Sequence, residues 1–155
     1  MTWTLIEDTP VGPLHLTADG AALTGLWFGT RPADEPPSPA DPLLAQAAAE
    51  LGEYFAGERR AFTVPLAPAG TPFQLSVWEQ LRLIPYGTTV SYGELARRLG
   101  SPDAARAVGL ANGRNPIAIV VPCHRVIGAD GSLTGFGGGM AAKRTLLDLE
   151  SSTLF

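Results

Sequence analysis

Apolar and polar positions alternate in short runs over the first thirty residues, and the alternation predicts three strands, at residues 3–6, 12–17 and 23–28. Asp8-Thr9-Pro10-Val11-Gly12 and Ala18-Asp19-Gly20 supply turn chemistry between them. His15 sits between Leu14 and Leu16, so it points to the opposite face and reads as a solvated strand histidine. Residues 31–42 are rich in Pro, Asp and Ala and read as a loop. Leu43, Leu44, Ala47, Leu51 and Phe55 then recur at helical spacing, and Gly57 ends that helix. Residues 62–66 read as an edge strand, because Pro65 has no N–H for a ladder. Residues 68–71 read as a linker.

The pattern changes character beyond it. Phe73, Val77, Leu81 and Ile84 predict a helix that Pro85-Tyr86-Gly87 stops. Ser91 with Glu94 makes a capping-box pattern, opening a helix to about Leu99 that Gly100 closes. Ser101 or Asp103 can cap a third helix through Ala104, Ala105, Ala107, Val108, Leu110 and Ala111. Two short helices joined by a tight turn form a helix-turn-helix pattern. Residues 117–121 are an apolar run fit for a buried strand or extended segment, and Asp130-Gly131 signals a hairpin. Residues 135–139 read as a flexible loop and 141–150 as a final helix. The chain therefore reads as mixed α/β, with one lobe at residues 1–68 and a second at 72–155.

Composition narrows the class. The chain has 155 residues, 45% of them hydrophobic, enough for one core or two small lobes. No apolar run is long enough for a membrane-spanning helix and no signal-peptide pattern opens the chain, so the expected location is the cytosol. The net charge of −4 conceals an asymmetry. Residues 1–72 carry three arginines against nine acids, and residues 73–155 carry eight bases against six acids. The second lobe is the one suited to a polyanion. A single cysteine excludes an internal disulfide, and with two histidines it cannot build an ordinary structural zinc site. Cys123 is then either a buried small hydrophobe or a chemical group.

The third helix, Ala104-Ala105-Arg106-Ala107-Val108-Gly109, lacks the long polar side chains of a base reader. Small residues with one long cation suit close, sequence-independent approach to a minor groove. Packing against a neighbouring helix, with Arg106 solvated, explains the same pattern equally well. Cys123-His124 offers a thiol and a base, but neighbours in an extended segment point apart. The pair works if the backbone turns or if a water joins the two groups, and Glu150 could orient the imidazole. The glycines of residues 135–139 lack phosphate-loop spacing and suit either a substrate-side loop or a mobile surface loop.

Pro122-Cys123-His124-Arg125-Val126 resembles the active-site motif of the O6-alkylguanine-DNA alkyltransferases. Ser91-Tyr92-Gly93-Glu94-Leu95-Ala96, Ala104-Ala105-Arg106-Ala107-Val108-Gly109, Asn115-Pro116 and Leu146-Leu147-Asp148-Leu149-Glu150 follow in that family's order. The resemblance is specific from Phe73 to Glu150 and looser over residues 1–72. It implies an α/β N-terminal lobe with a small antiparallel sheet, and a helical, winged-helix-like C-terminal lobe. It implies that Cys123 takes an alkyl group from O6 of guanine in double-stranded DNA, irreversibly and once per chain. O4-alkylthymine is a further candidate substrate. His124 would remove the thiol proton through a water, Glu150 would orient His124, and Tyr92 would donate a proton to the leaving base. Arg106, on a helix whose Ala105 and Gly109 face the DNA, would fill the gap left by the flipped nucleotide. Asn115 would hold the turn before Cys123. The carbonyls of Cys123 and Val126 would meet the guanine amine, Gly137 would offer its N–H to O6, and Phe136 would form the lip. No metal or organic cofactor is implied, and the acting species would be a monomer.

Two positions depart from the family's pattern. Phe136 stands where many relatives carry Tyr, and Thr145 where many carry Trp. Both bear on pocket shape, not on the reacting groups. Two rival functions also fit parts of the sequence. One is a sensor that binds alkylated DNA without repairing it, which Cys123 argues against. The other is a thiol hydrolase, which would need an oxyanion hole and repeated turnover.

Overall fold

The computed structural model describes residues 1–133, 136 and 138–152. Strands β1 (Thr2–Ile6), β2 (Leu14–Ala18) and β3 (Leu23–Phe28) form an antiparallel sheet in the order β1-β2-β3. Leu14, Leu16 and Ala18 turn to the core with Leu23 and Leu26. Helix α1 (Pro42–Phe55) closes that core with Leu44, Ala47, Leu51 and Tyr54. It begins where the Asp41 carboxylate accepts from the Leu43 and Leu44 N–H groups.

The other face of the sheet is not simply solvated. His15 is only 3% exposed, so the expectation of a solvated histidine is corrected. Its ring stacks on Trp3 at 4.8 Å and meets Trp27 edge-on at 6.2 Å. Gly25 permits this cover, because a side chain there would strike the Trp27 ring. Alternation gave the face of His15 correctly but not the aromatic roof above it.

The edge strand expected at residues 62–66 does not form, and residues 117–121, read as a buried strand or extended segment, are buried without becoming a strand. Residues 62–66 make one parallel bridge, Leu66 with Leu23, in which the Pro65 carbonyl accepts from Leu23 N–H. The Thr63 and Val64 N–H groups turn inward and donate to the Glu50 carboxylate. Residues 117–121 make one bridge, Ile117 with Leu26, and then turn, with Ile119 at φ 71°. That bridge carries the N-terminal sheet onto the segment leading to Cys123. The expected linker is also packed, since a Cβ on Gly70 would meet the Trp78 ring.

Helix α2 (Pro72–Leu81) starts at a reciprocal Thr71–Gln74 capping box. It ends three residues before the expected Ile84, which sits in the turn that follows. Strand β4 (Val90–Ser91) leads into α3 (Tyr92–Arg98), whose first turn is capped by Ser91 Oγ accepting from Glu94 N–H. The Glu94 carboxylate takes Arg97 and Arg98 instead of completing the box. Helix α4 (Ala105–Gly113) follows a 3-10 turn, Pro102–Ala104, and has no side-chain cap, so neither Ser101 nor Asp103 plays that role. A second 3-10 turn, Cys123–Arg125, runs into β5 (Val126–Ile127), which pairs with β4 in parallel. Asp130-Gly131 forms a tight turn, with Gly128 N–H donating to the Ser132 carbonyl, and no hairpin strands flank it among the described residues. Helix α5 (Met140–Ser152) returns across the turn that carries Cys123. No helix among the described residues is long and apolar enough to cross a membrane.

Candidate active site

The 3-10 turn at Cys123–Arg125 resolves the problem posed by adjacent residues. Instead of alternating, the three side chains fan out into different surroundings, all buried. Cys123 faces a cavity of about 300 Å³ that Asn115, Pro116, Trp27, Phe28, Phe136 and Gly138 help to line. Burial pushes its thiol pKa up, against smaller lowering influences from an Asn115 hydrogen bond and the Lys143 charge. The resting group is therefore a thiol.

His124 turns the other way. Its Nε2 lies 2.7 Å from Glu150 Oε2, and its Nδ1 is buried with no protein partner among the described residues. Burial lowers its pKa, which leaves a neutral imidazole able to accept a proton. Glu150 is where much of the site converges. Oε1 accepts from Arg125 Nε at 2.8 Å and from Gly87 N–H at 3.2 Å. Oε2 accepts from Arg125 Nη2 at 3.0 Å and from the Tyr54 hydroxyl at 2.7 Å, besides His124. Burial opposes ionisation of Glu150, but these donors outweigh it and hold the carboxyl well below the usual carboxylate range.

Asn115 stands at the entry to the turn. Its amide donates to the Val121 carbonyl at 2.8 Å and its oxygen accepts from Ile117 N–H at 3.0 Å. The Cys123 carbonyl accepts from Asn112 at 3.4 Å, and the Val126 carbonyl accepts from Lys143 Nζ at 2.6 Å. The Cys123 carbonyl also accepts from the Val126 N–H, which closes the turn. Phe136 meets Phe28 edge-on at 5.3 Å, which seats the cavity lip on the N-terminal sheet. Gly137 lies outside the described residues.

Tyr92 and Arg106 stand on the helix pair α3 and α4. Tyr92, half-buried at the start of α3, packs against α4 beside Gly109, where even an added Cβ would meet its ring at ordinary contact distance. Ala105 is half-buried and Arg106 exposed on α4. Arg106 makes no ion pair among the described residues. The structure thus gathers Cys123, His124, Glu150 and Asn115 around one turn, with Val126 behind them and Phe136 above the cavity. Four contributors escaped the sequence reading: Arg125, Lys143, Asn112 and Tyr54. Arg125 stands inside the motif and could have been suspected. Lys143 lies seven residues before Glu150, on the same helix. Nothing in local sequence marks Tyr54. Among the described residues no cluster of His, Cys, Asp and Glu is arranged to hold a metal ion.

Comparison with known proteins gives a consistent result. Residues 1–68 match the family model for the 6-O-methylguanine DNA methyltransferase ribonuclease-like domain, and residues 72–152 match that for its DNA binding domain. The chain is 53% identical over 148 residues to a methylated-DNA–protein-cysteine methyltransferase of Mycobacterium tuberculosis, covering 94% of this chain and 90% of the relative. It is 50% identical to one from Methanosarcina acetivorans, covering 95% and 97% of the two chains. The crystal structure of Mycobacterium tuberculosis OGT in complex with DNA superposes with a TM-score of 0.91 at 52% identity, covering 99% of this chain and 94% of that one.

Proposed function

The chain belongs to the 6-O-methylguanine DNA methyltransferase family, and we propose that Cys123 takes the alkyl group from O6-alkylguanine in double-stranded DNA and keeps it. The observation that carries the mechanism is the buried 3-10 turn that bears both Cys123 and His124, with Glu150 of α5 holding His124 Nε2. The reading also rests on the DNA-bound relative, whose fold this chain shares.

The thiol sulfur attacks the alkyl carbon opposite O6. A sulfur–carbon bond forms and the carbon–oxygen bond breaks. The thiol proton passes through a water to His124 Nδ1, the buried ring nitrogen that has no partner among the described residues. Glu150 holds the other ring nitrogen and stabilises the imidazolium that results. The departing guanine carries the electron pair of the broken bond and takes a proton from the Tyr92 hydroxyl. The raised thiol pKa fits this scheme, because deprotonation accompanies transfer instead of preceding it. Lys143 supplies the positive charge that the forming thiolate meets. Arg106 enters the stack where the damaged nucleotide leaves, from a helix whose Ala105 and Gly109 allow close approach. Asn115 fixes the turn, and Val126, Phe136 and Gly137 border the base. Residues 1–68 and 72–155 act as the two lobes, and the reaction takes place in the cytosol, where the thiol stays reduced.

The test is a mass measurement. The protein is mixed with a duplex oligonucleotide carrying O6-methylguanine, and the intact mass is taken. One added methyl group per chain, mapped to Cys123, with guanine restored, is the expected result. An unmodified protein that binds the duplex would establish the sensor instead.

A further inference from the structure

We propose that Tyr54, in the N-terminal lobe, is a positioning residue for alkyl transfer, its hydroxyl sharing the Glu150 oxygen that holds His124 and so limiting how readily His124 keeps a proton. This inference rests on the reading of Cys123 as the alkyl acceptor.

The contact joins residues 96 apart in the chain. Tyr54 is fully buried in α1, its ring packed against Phe55, Phe62 and Tyr86. A phenylalanine would supply the same apolar packing. A buried hydroxyl must instead recover its lost hydration through a partner. Here that partner is Glu150 Oε2, at 2.7 Å, equal to the His124 distance on the same oxygen. Arg125 Nη2 is the third donor, at 3.0 Å. Three donors on one carboxylate oxygen divide its charge between them. Each one lessens the pull that Oε2 exerts on an imidazolium proton.

The groups around His124 act in two directions. Glu150 favours its protonation, while Arg125 and Lys143 oppose it. Cys123 is the neighbour whose proton His124 is to receive. Tyr86 faces Tyr54, and the Arg60 and Arg125 guanidinium groups lie over the Tyr86 ring. Tyr54 is the neutral donor in this set, so it tempers Glu150 without adding charge. The result is a base that accepts the thiol proton during transfer and is not already protonated before it. The N-terminal lobe thereby tunes a reaction carried by the C-terminal lobe.

The variant is Tyr54→Phe in the full chain. The chain has two histidines, and His15 lies in the separate Trp3–Trp27 cluster, so it serves as an internal reference. Histidine-selective NMR titration should show the His124 pKa raised by roughly half a unit or more in the variant, with His15 unmoved. The low-pH limb of the single-turnover rate profile on O6-methylguanine duplex should move upward by the same amount. An unchanged His124 titration overturns the inference, whatever the rate does. NMR reads the folded molecules, so the result stands even where the variant melts at a lower temperature. If wild-type protein takes up no methyl group, the reading of Cys123 fails, and the titration still decides the tether on its own.

Discussion

Lys143 Nζ lies 2.6 Å from the carbonyl oxygen of Val126, and both residues are out of contact with water. A lysine in that position is expensive, and burial lowers its pKa. What it provides is positive charge beside Cys123, which lowers a thiol pKa that burial otherwise raises. Lys143→Met keeps the length of the side chain and removes the charge. The thiol proton then becomes harder to lose. Transfer at pH 7 should slow, by up to about tenfold for each unit that the thiol pKa rises, and part of the rate should return as pH is raised. Single-turnover rates from pH 6 to 10 test this. A uniform loss at every pH would mean that Lys143 acts only by holding Val126.

Glu150 joins a prediction about stability to one about transfer. Its donors lower its folded pKa below the unfolded value of about 4.3. The stability it contributes is therefore complete above that unfolded value and is lost as pH falls through the folded one. Glu150→Gln should flatten this acid dependence. It also leaves Arg125 buried without its charge partner, which costs about 3–5 kcal/mol. Urea unfolding at pH 7 and at pH 3 measures both effects. On the protein that remains folded, transfer should slow while affinity for the duplex stays nearly unchanged. An equal loss of stability at both pH values would remove Glu150 from the acid transition.

What the sequence disclosed and what it withheld follow one division. The strands of the sheet, α1, α3 and α5 are local events, set by alternation, helical spacing and caps such as Ser91, and all were legible. The pattern at 117–121 was read correctly as buried, but burial there comes from a turn with one bridge to Leu26. Cys123, His124 and Glu150 could be named because they sit in or near motifs. Their relation could not, because it depends on a 3-10 turn that periodicity does not encode. Tyr54 was hidden most completely. Its spacing is that of a core residue, and it is one, except for a single atom.

The cavity lip rests on a glycine. A Cβ on Gly138 would lie 2.6 Å from the Phe28 ring, the ring that also meets Phe136 edge-on. Gly138→Ala must therefore displace Phe28 and loosen the seat of Phe136. The expected cost is about 1–3 kcal/mol, as for other overpacked sites. Reaction with O6-benzylguanine, which fills more of the cavity than a methyl group, should suffer more than reaction with O6-methylguanine. Denaturant unfolding and paired labelling rates check the two parts. Equal rates for both alkyl groups would show that the lip does not select by size.

Arg106 separates access to DNA from chemistry. It is exposed on α4, outside the buried network around Glu150, and forms no ion pair among the described residues. Its removal should leave the fold and the reactivity of Cys123 intact. A duplex substrate differs from a free base in one respect that matters here, since its target must leave the stack at a cost of a few kcal/mol. If Arg106 fills the gap, Arg106→Ala loses the part of that cost which the side chain offsets, and transfer from duplex should slow by about tenfold or more. Labelling by free O6-benzylguanine needs no flipping and should proceed at the wild-type rate. Arg106→Lys keeps the charge but not the planar group, so it should restore duplex affinity more than duplex rate. If Arg106→Ala slows both substrates alike, the side chain serves the reaction centre, and the exposed face of α4 is not where the nucleotide is exchanged for protein.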